Sequence, residues 1–268
     1  MTRSSARSLC SLALSGQPDV RPSDCNERMK NQYFGDVNEF RKYGLLRTLQ
    51  RASGLAVGVC WFLTVDDGAG DGELRNYLKR SGRWRHYDPE LYDKLQRLLS
   101  AEVQRSVSRA SEWELVLGAS YFDAVLRNHR LARAEYFEAA RQVLRNADLV
   151  FVDPDNGIEV PSTKLGGSGS SKYVYWTELQ AMYADGQSIL VYQHFPPVVR
   201  ERFVPFIAGR LTAELHGSTV VAFSTAHVVF FLVQQPKHAA VLARAAREVE
   251  RQWLGQIEVW PAAISGAA

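Results

Sequence analysis

Two apolar runs of strand length, each ending in an acidic turn, constrain the fold more than any other feature of the sequence. The first spans residues 55–64 and leads to Asp66, and the second spans residues 147–152 and leads to Asp153. A strand that is apolar on both faces is typical of a parallel sheet covered by helices on each side. The chain is therefore predicted to contain a parallel sheet with acids at the carboxyl ends of two strands.

The remaining periodicity extends this pattern along the chain. Apolar residues recur at helical spacing in residues 37–49, where the helix is expected to end near Gly54. The same spacing occurs in residues 89–99, 130–146, 173–183, 202–215 and 236–253. Strand patterns occupy residues 114–118, 188–193, 219–223 and 227–234. The last two are close enough in sequence to form a hairpin. Helices that alternate with buried strands predict an α/β fold with a doubly wound, mostly parallel sheet that ends in a C-terminal antiparallel hairpin.

One domain accounts for the periodic part of the chain. Residues 29–268 are predicted to form a single Rossmann-like α/β domain, and residues 1–28 a flexible N-terminal extension. Apolar residues make up 46% of the chain and charged residues 23%, which excludes a disordered protein. No apolar run reaches the roughly 18–20 residues that cross a bilayer, so no membrane association is expected. The three cysteines lack metal-ligand spacing, which favours a reducing, cytoplasmic location.

The candidate ligand site is the sheet edge at which both acidic turns lie. Ligands of open α/β sheets bind outside the carboxyl ends of the strands, near the point where strand order reverses. In the first turn, Asp66 is placed to accept hydrogen bonds from ribose hydroxyls. It is followed by small residues that let a cofactor approach the backbone: Gly68, Ala69, Gly70 and Gly72. The alternative interpretation of this turn is a solvated acidic loop.

This turn carries a resemblance to a known group of proteins. Residues 66–72 resemble the D-x-x-A-G-x-G turn of Rossmann-like S-adenosylmethionine-dependent methyltransferases, in particular the ribosomal RNA adenine-N6 methyltransferases and the three-cysteine-motif partner proteins. Gly35-Asp36-Val37 with Lys42-Tyr43 resembles the A-D-V-L-K-H segment that precedes the cofactor turn in the adenine enzymes. The resemblance covers roughly residues 33–235. It implies S-adenosylmethionine as cofactor, a nucleic acid or nucleoside as substrate, and a reversed last strand.

The second acidic turn extends the resemblance and departs from it. Amino-methyltransferases of this kind carry D/N-P-P-Y/F after the fourth strand, where the acid and the proline carbonyl hold the target amine and the ring stacks on the base. Asp153 and Pro154 match this motif, whereas Asp155 and Asn156 replace the second proline and the ring. Adenine as the target is therefore left open, and the Asn156 amide is a candidate assistant. A substitute ring, if these residues are not simply core, would come from Tyr173, Tyr175 or Trp176.

Two other segments are expected near this edge. His194 follows the strand pattern of residues 188–193 and is a candidate general base or phosphate ligand, with a surface or capping histidine as the alternative. The Gly/Ser-rich residues 166–171 are predicted to form a flexible loop that either closes over a substrate or serves as a linker.

A basic and aromatic segment follows the first acidic turn and is the candidate surface for RNA or DNA. The net charge of +3 is too small to indicate a nucleic-acid binder unless cations cluster. Here they do, since the segment contains the cations Arg75, Lys79, Arg80, Arg83 and Arg85, with the rings of Tyr77, Trp84, His86 and Tyr87 among them. Cations neutralise phosphates and flat rings stack on bases. A solvated helix end is the alternative.

Two further functions stay open beside the methyltransferase. Asp153, Asp155 and Glu159 with Lys164 resemble the P-D…E-x-K set that binds Mg²⁺ in nucleases, although four residues separate Glu159 from Lys164 where that motif has one. A Mg²⁺ ion would in that case be held by Asp153 together with acids of residues 66–71. The third possibility is a non-catalytic module on the same fold that binds nucleic acid or protein.

Overall fold

The helices and strands of this protein are those of a computed structural model, which describes residues 34–64, 74–100 and 108–262. The α-helices are α1 (Val37–Ser53), α2 (Ser81–Trp84), α3 (Pro89–Ser100), α4 (Ser108–Glu112), α5 (Arg130–Leu144), α6 (Trp176–Ala184), α7 (Arg200–Glu214) and α8 (Ala239–Gln252). The strands are β1 (Val57–Cys60), β2 (Ser120–Phe122), β3 (Leu149–Val152), β4 (Gly157–Ile158), β5 (Tyr173–Val174), β6 (Ser188–His194), β7 (Thr219–Ser224), β8 (Val228–Gln234) and β9 (Glu258–Trp260). In these three ranges, no helix has the length and apolar character to span a membrane.

Seven of these strands form one mixed sheet in the order β2-β1-β3-β6-β8-β7-β9. The pairs β2–β1, β1–β3 and β3–β6 are parallel, whereas β8 is antiparallel to both β6 and β7. Because β2 lies on one side of β1 and β3 on the other, the strand order reverses between β1 and β3. The predicted α/β class with a mostly parallel sheet and a C-terminal hairpin is confirmed.

Helices cover both faces of the sheet. The core on one face contains residues of α1, α3 and α8, and the core on the other contains residues of α5, α6 and α7. Strand β3 shows the alternation, since Leu149 and Phe151 join the first core and Val150 and Val152 join the second. This double cover explains why the strands read as continuous apolar runs.

Helix α1 is capped by a side chain at its first turn and is ended by a glycine. The Asp36 carboxylate caps its first turn by accepting hydrogen bonds from the backbone N–H groups of Asn38 (2.7 Å) and Glu39 (2.8 Å). Gly54, predicted as the end of this helix, adopts a left-handed conformation with φ of 73° and stops it. The helix packs against α8 and α3, and its N-terminal half reaches the carboxyl edge of the sheet.

Some sequence predictions differ from the structure. Residues 114–118 are not a strand, because Glu114 has a left-handed φ of 46° that breaks an extended run, and the strand begins at Ser120 instead. The pair β4–β5 and the edge strand β9 were not predicted, since strands of two or three residues carry too little periodicity. The proposed N-terminal extension, residues 1–28, lies outside the described residues.

Candidate functional site

The carboxyl ends of β1 and β3 meet at the reversal of strand order. The chain leaving β1 stays at this edge, where the Thr64 hydroxyl lies 3.4 Å from Asp155 Oδ2. Thr64 is the last described residue before the predicted cofactor turn. Asp66, Gly68, Ala69, Gly70 and Gly72 fall outside the described residues, so their placement in a site stays a prediction. What the structure brings together is the end of β1 and the turn that begins at Asp153.

Lys42 of α1 lies buried at this edge, where it contacts the carboxylates of Asp153 and Glu39. Its Nζ donates to Asp153 Oδ2 at 2.7 Å and to Glu39 Oε1 at 2.5 Å, and its side chain is 8% exposed. Aromatic rings surround the ammonium group at 5.3–5.9 Å from their centroids, namely Trp61, Phe151 and Tyr192. An ammonium over ring faces gains electrostatic stabilisation where water is excluded. One cation is thus shared by two carboxylates in an aromatic enclosure.

Burial controls the protonation of this cluster. Burial, helped by the charges of Glu39 and Asp155 and opposed by Lys42, raises the pKa of Asp153 to about 6. Burial lowers the pKa of Lys42, but the two carboxylates outweigh it and the net shift is upward. The proton therefore stays on Lys42, and the pKa of Asp153 lies well above its usual value.

Further polar groups of α1 point into the same interior. Burial and the charge of Glu39 together raise the pKa of Asp36 to about 6, against the opposing effects of Lys42 and of the capping hydrogen bonds. Glu39 Oε2 and the Tyr43 hydroxyl are buried without a hydrogen-bond partner among the described residues. Burial, followed by the charge of Glu39, raises the pKa of Tyr43 well above its usual value. Buried polar groups with perturbed pKa values are typical of functional sites, because elsewhere they only reduce stability.

The turn that contains Asp153 is held against β6. Pro154 is buried and Asn156 is half-buried. The Asn156 carbonyl accepts hydrogen bonds from Gln193 Nε2 (3.0 Å) and from the His194 backbone (3.3 Å). Gly157 follows with φ of 113°, and a Cβ there would lie 2.3 Å from Gln193 Oε1. Only glycine therefore allows this turn to lie flat on β6.

His194 lies at the end of β6, beside the same turn. Its Nε2 is 3.0 Å from the Tyr192 hydroxyl, and the residue is partly exposed to water. Partial burial lowers the pKa of His194, while the charge of Asp155 acts in the opposite direction. A neutral imidazole at this edge is able to accept a proton. The His194 backbone thus contacts the turn that contains Asp153 and Asn156, and a joint chemical role for these residues stays a prediction.

Glu159 of the nuclease-like set is engaged away from Asp153. Glu159 Oε1 accepts the backbone N–H of Trp176 at 2.8 Å, which caps α6 instead of joining Asp153. In the described ranges, no three acidic, histidine or cysteine side chains are arranged to hold a metal ion. Tyr175 and Trp176 are 3% and 7% exposed, so they are core residues and not free rings.

The Gly/Ser loop is anchored on one side. Ser170 is fully buried, and its carbonyl accepts a hydrogen bond from Arg133 Nη1 at 3.0 Å. Arg133 also pairs with Glu178 at 2.5 Å and 2.8 Å. A buried guanidinium with this many partners ties the end of the loop to α5 and α6.

The basic segment separates into exposed cations and buried rings. Lys79, Arg80 and Arg83 are exposed, and Arg75 is half-buried. Arg85, in contrast, forms two hydrogen bonds of 2.8 Å with Asp93. Trp84 is only 8% exposed and packs against the rings of Phe40, Tyr77 and Tyr87. The base-stacking role predicted for Trp84 is therefore replaced by a packing role, since a ring buried among other rings has no free face.

Sequence reasoning did not include Glu39, Lys42 or Tyr192 among the site residues. The available signal was the spacing of Glu39 and Lys42, three residues apart on the face of α1 that otherwise carries apolar side chains. No protein-family model matches the chain, and no curated protein matches it either.

Proposed function

We propose that this protein is an S-adenosylmethionine-dependent methyltransferase-like protein that acts on a nucleic acid or nucleoside. One observation carries the proposal. Lys42 belongs to the segment similar to A-D-V-L-K-H, Asp153 belongs to the segment similar to D/N-P-P-Y/F, and their side chains meet at 2.7 Å across 111 residues of sequence. Two short resemblances that are weak separately thus concern side chains that act on each other.

The sheet supports the same proposal. In these methyltransferases the last strand is reversed, and β8 of this chain is antiparallel to both of its neighbours, β6 and β7. Strand order reverses between β1 and β3, the place at which open α/β sheets bind their ligands. Asp153 follows β3 directly, so the proposed acceptor site and the proposed cofactor turn belong to adjacent strands.

The residue types fit the cofactor. Asp66 offers a carboxylate for ribose hydroxyls, and the small residues at positions 68–72 allow close backbone approach. When bound, S-adenosylmethionine supplies an electrophilic methyl group. The chain itself holds the acceptor, since the Asp153 carboxylate and the Pro154 carbonyl accept hydrogen bonds from its N–H groups and align its lone pair. Alignment is the main requirement of this reaction, so few ionisable groups are needed.

Titration calorimetry with S-adenosylmethionine tests the cofactor. The wild type is expected to release binding heat, Asp66→Ala to lose it, and Asp67→Ala to keep it, because the resemblance leaves position 67 free. Circular dichroism of all three proteins checks that they are folded. The proposal is abandoned if the folded wild type gives no heat.

Transfer of a labelled methyl group to RNA, DNA and nucleosides tests the acceptor site. Asp153→Ala is expected to bind S-adenosylmethionine as the wild type does but to transfer methyl groups at least about 100-fold more slowly, because no side-chain oxygen remains to accept the N–H of the amine. Asp153→Asn keeps such an oxygen, as the D/N position of the motif allows, and should retain more activity than Asp153→Ala. Cleavage of the same nucleic acids with Mg²⁺, lost in Asp153→Ala, would instead identify a nuclease. Binding of nucleic acid with neither reaction would identify a non-catalytic module.

A further inference from the structure

Three aromatic rings of the basic segment are buried in the protein core. Tyr77, Trp84 and Tyr87 are 4%, 8% and 9% exposed. Tyr77 stacks on Phe40 of α1 at 5.3 Å between ring centroids. Among the described rings of the segment, His86 is the one on the surface, and its ring centroid lies 4.0 Å from that of Tyr87. The described part of the segment therefore offers no row of free ring faces on which successive bases stack.

The cations of the same segment point outward. Lys79, Arg80 and Arg83 are exposed, and none of them has an acidic partner within the part of the chain that the structure describes. Lys79 also lines an open cavity of about 470 Å³ between residues 75–79 and the end of α3. The cavity contributes neutral polar groups, among them Gln96 and Ser100. Exposed cations beside neutral donors provide what a phosphate group requires.

This cationic face is fixed to the helix that holds the candidate site. The Val37 backbone N–H donates to the Leu74 carbonyl at 3.1 Å, and the Tyr77 hydroxyl donates to the Gly35 carbonyl at 3.2 Å. The segment therefore packs on the start of α1, within two turns of Lys42 and its contact with Asp153. The basic segment and the Lys42–Asp153 contact are therefore joined through the same helix.

We infer that Lys79, Arg80 and Arg83 hold the sugar–phosphate backbone of a double-helical nucleic acid beside the site, and that unpaired bases are not stacked there. The inference rests on the proposed function, because the bound nucleic acid is a substrate only if the site transfers a methyl group. A surface with cations and without ring faces gains its affinity from released counterions. This gain is larger on a duplex, which carries more charge per unit length than a single strand. The substrate class is therefore a structured nucleic acid.

Fluorescence anisotropy with a duplex and a single strand of equal length, both without S-adenosylmethionine, tests this inference. With three phosphate contacts, the logarithm of the association constant is expected to fall with the logarithm of salt concentration with a slope of about −2.7 for the duplex and about −2.1 for the single strand. The duplex affinity should drop about 40-fold between about 50 and 200 mM salt. The duplex should bind more tightly than the single strand at low salt.

Matched variants separate the face from a general charge effect. Arg80→Ala and Arg83→Ala should each reduce the magnitude of the duplex slope by about 1. Arg85→Ala should leave it unchanged, because Arg85 is already paired with Asp93. Tighter binding of the single strand, or equal effects of Arg83→Ala and Arg85→Ala, would overturn the inference. A wild type that does not bind S-adenosylmethionine, with the duplex results intact, would overturn the proposed function and leave the cationic face standing.

Discussion

Lys42 Nζ lies 2.7 Å from Asp153 Oδ2, so a buried ammonium group joins the first helix to the end of the third strand. The same nitrogen lies 2.5 Å from Glu39 Oε1. Both carboxylates are largely removed from water, with side-chain exposures of 14% for Asp153 and 6% for Glu39. In such surroundings a charge is tolerated only while its partner is present.

Replacement of Lys42 by methionine is expected to reduce the free energy of unfolding by about 3–5 kcal/mol, because two buried carboxylates lose their shared cation. Urea denaturation followed by circular dichroism measures the loss. Lys94→Met is the control, because it removes a lysine that pairs with the exposed Glu90 at 3.1 Å. It should reduce the free energy of unfolding by no more than about 1 kcal/mol. Equal losses in the two variants would show that the buried cluster does not depend on its cation.

Stability is expected to fall as pH rises from about 4 to about 6, through the buried acids Asp36 and Asp153. Burial raises the pKa of each to about 6 in the folded protein, from a usual value near 3.8. The folded protein therefore keeps these protons over a range where the unfolded chain has lost them. This stabilisation of the folded state is fully present below pH about 4 and is lost as the pH rises through about 6. For Asp36 it amounts to at most about 3 kcal/mol.

A double variant, Asp36→Asn with Asp153→Asn, tests this pH dependence. An asparagine side chain at position 36 would still cap α1, and one at position 153 would still accept a hydrogen bond from Lys42. Unfolding free energies of the wild type and of the double variant are compared across this pH range. The double variant should show the smaller decline. Parallel curves would mean that neither acid retains its proton in the folded state.

Alanine at Gly157 is expected to destabilise the protein by about 1–3 kcal/mol and to displace the turn that contains Asn156. The cause is twofold: φ is 113°, and the new Cβ would lie 2.3 Å from Gln193 Oε1. Gly209→Ala in α7 is the matched control, because beyond its own helix backbone no described atom lies within 4 Å of the position that the added methyl group would take. In thermal unfolding experiments, the free energy of unfolding of this control should rise by about 0.5–1 kcal/mol. A neutral effect at position 157 would contradict the packing of this turn on β6.

Replacement of Arg133 by lysine is expected to reduce the free energy of unfolding by about 2–3 kcal/mol, although the positive charge is kept. The guanidinium donates to both oxygens of Glu178 and to the carbonyls of Ser170 and Tyr173. An ammonium group cannot reach all four acceptors. Trypsin should then cleave faster after Lys164 and Lys172, which flank the Gly/Ser loop, and mass spectrometry detects these cuts. Arg141→Lys, at an exposed pair with Asp185, should alter neither stability nor cleavage by a measurable amount.

The fold was largely predictable because its strands and helices carry strong local signals. β1 and β3 were evident as apolar runs, and α1 by its helical spacing and its stop at Gly54. β2 was misplaced by a few residues, since Glu114 takes a left-handed conformation that nothing in its type requires. Short strands such as β9 form only when an existing sheet edge offers hydrogen bonds.

The site was predictable in part. The position of Asp153 after β3 was predicted correctly, because an acid directly after a buried strand must lie at the carboxyl edge of the sheet. The roles of Asp153, Pro154 and Asn156 in a site stay predictions. The partner of Asp153 was not identified, because Lys42 sits 111 residues away on a helix whose rotation about its axis is set by packing. Trp84 was assigned to the surface because an aromatic residue among cations has the same local sequence whether its ring is buried or exposed.

The sequence by itself determined the α/β class, the acids at the strand ends and the segment in which cations concentrate, because these depend on periodicity and on neighbours along the chain. Tertiary structure alone decided that Lys42 neutralises Asp153 and Glu39, and that the rings of the basic segment face inward while Lys79, Arg80 and Arg83 face water. The physical reason is that burial and pairing depend on the atoms that surround a side chain in space. Those atoms come from elements that only the packed sheet and its helices bring together.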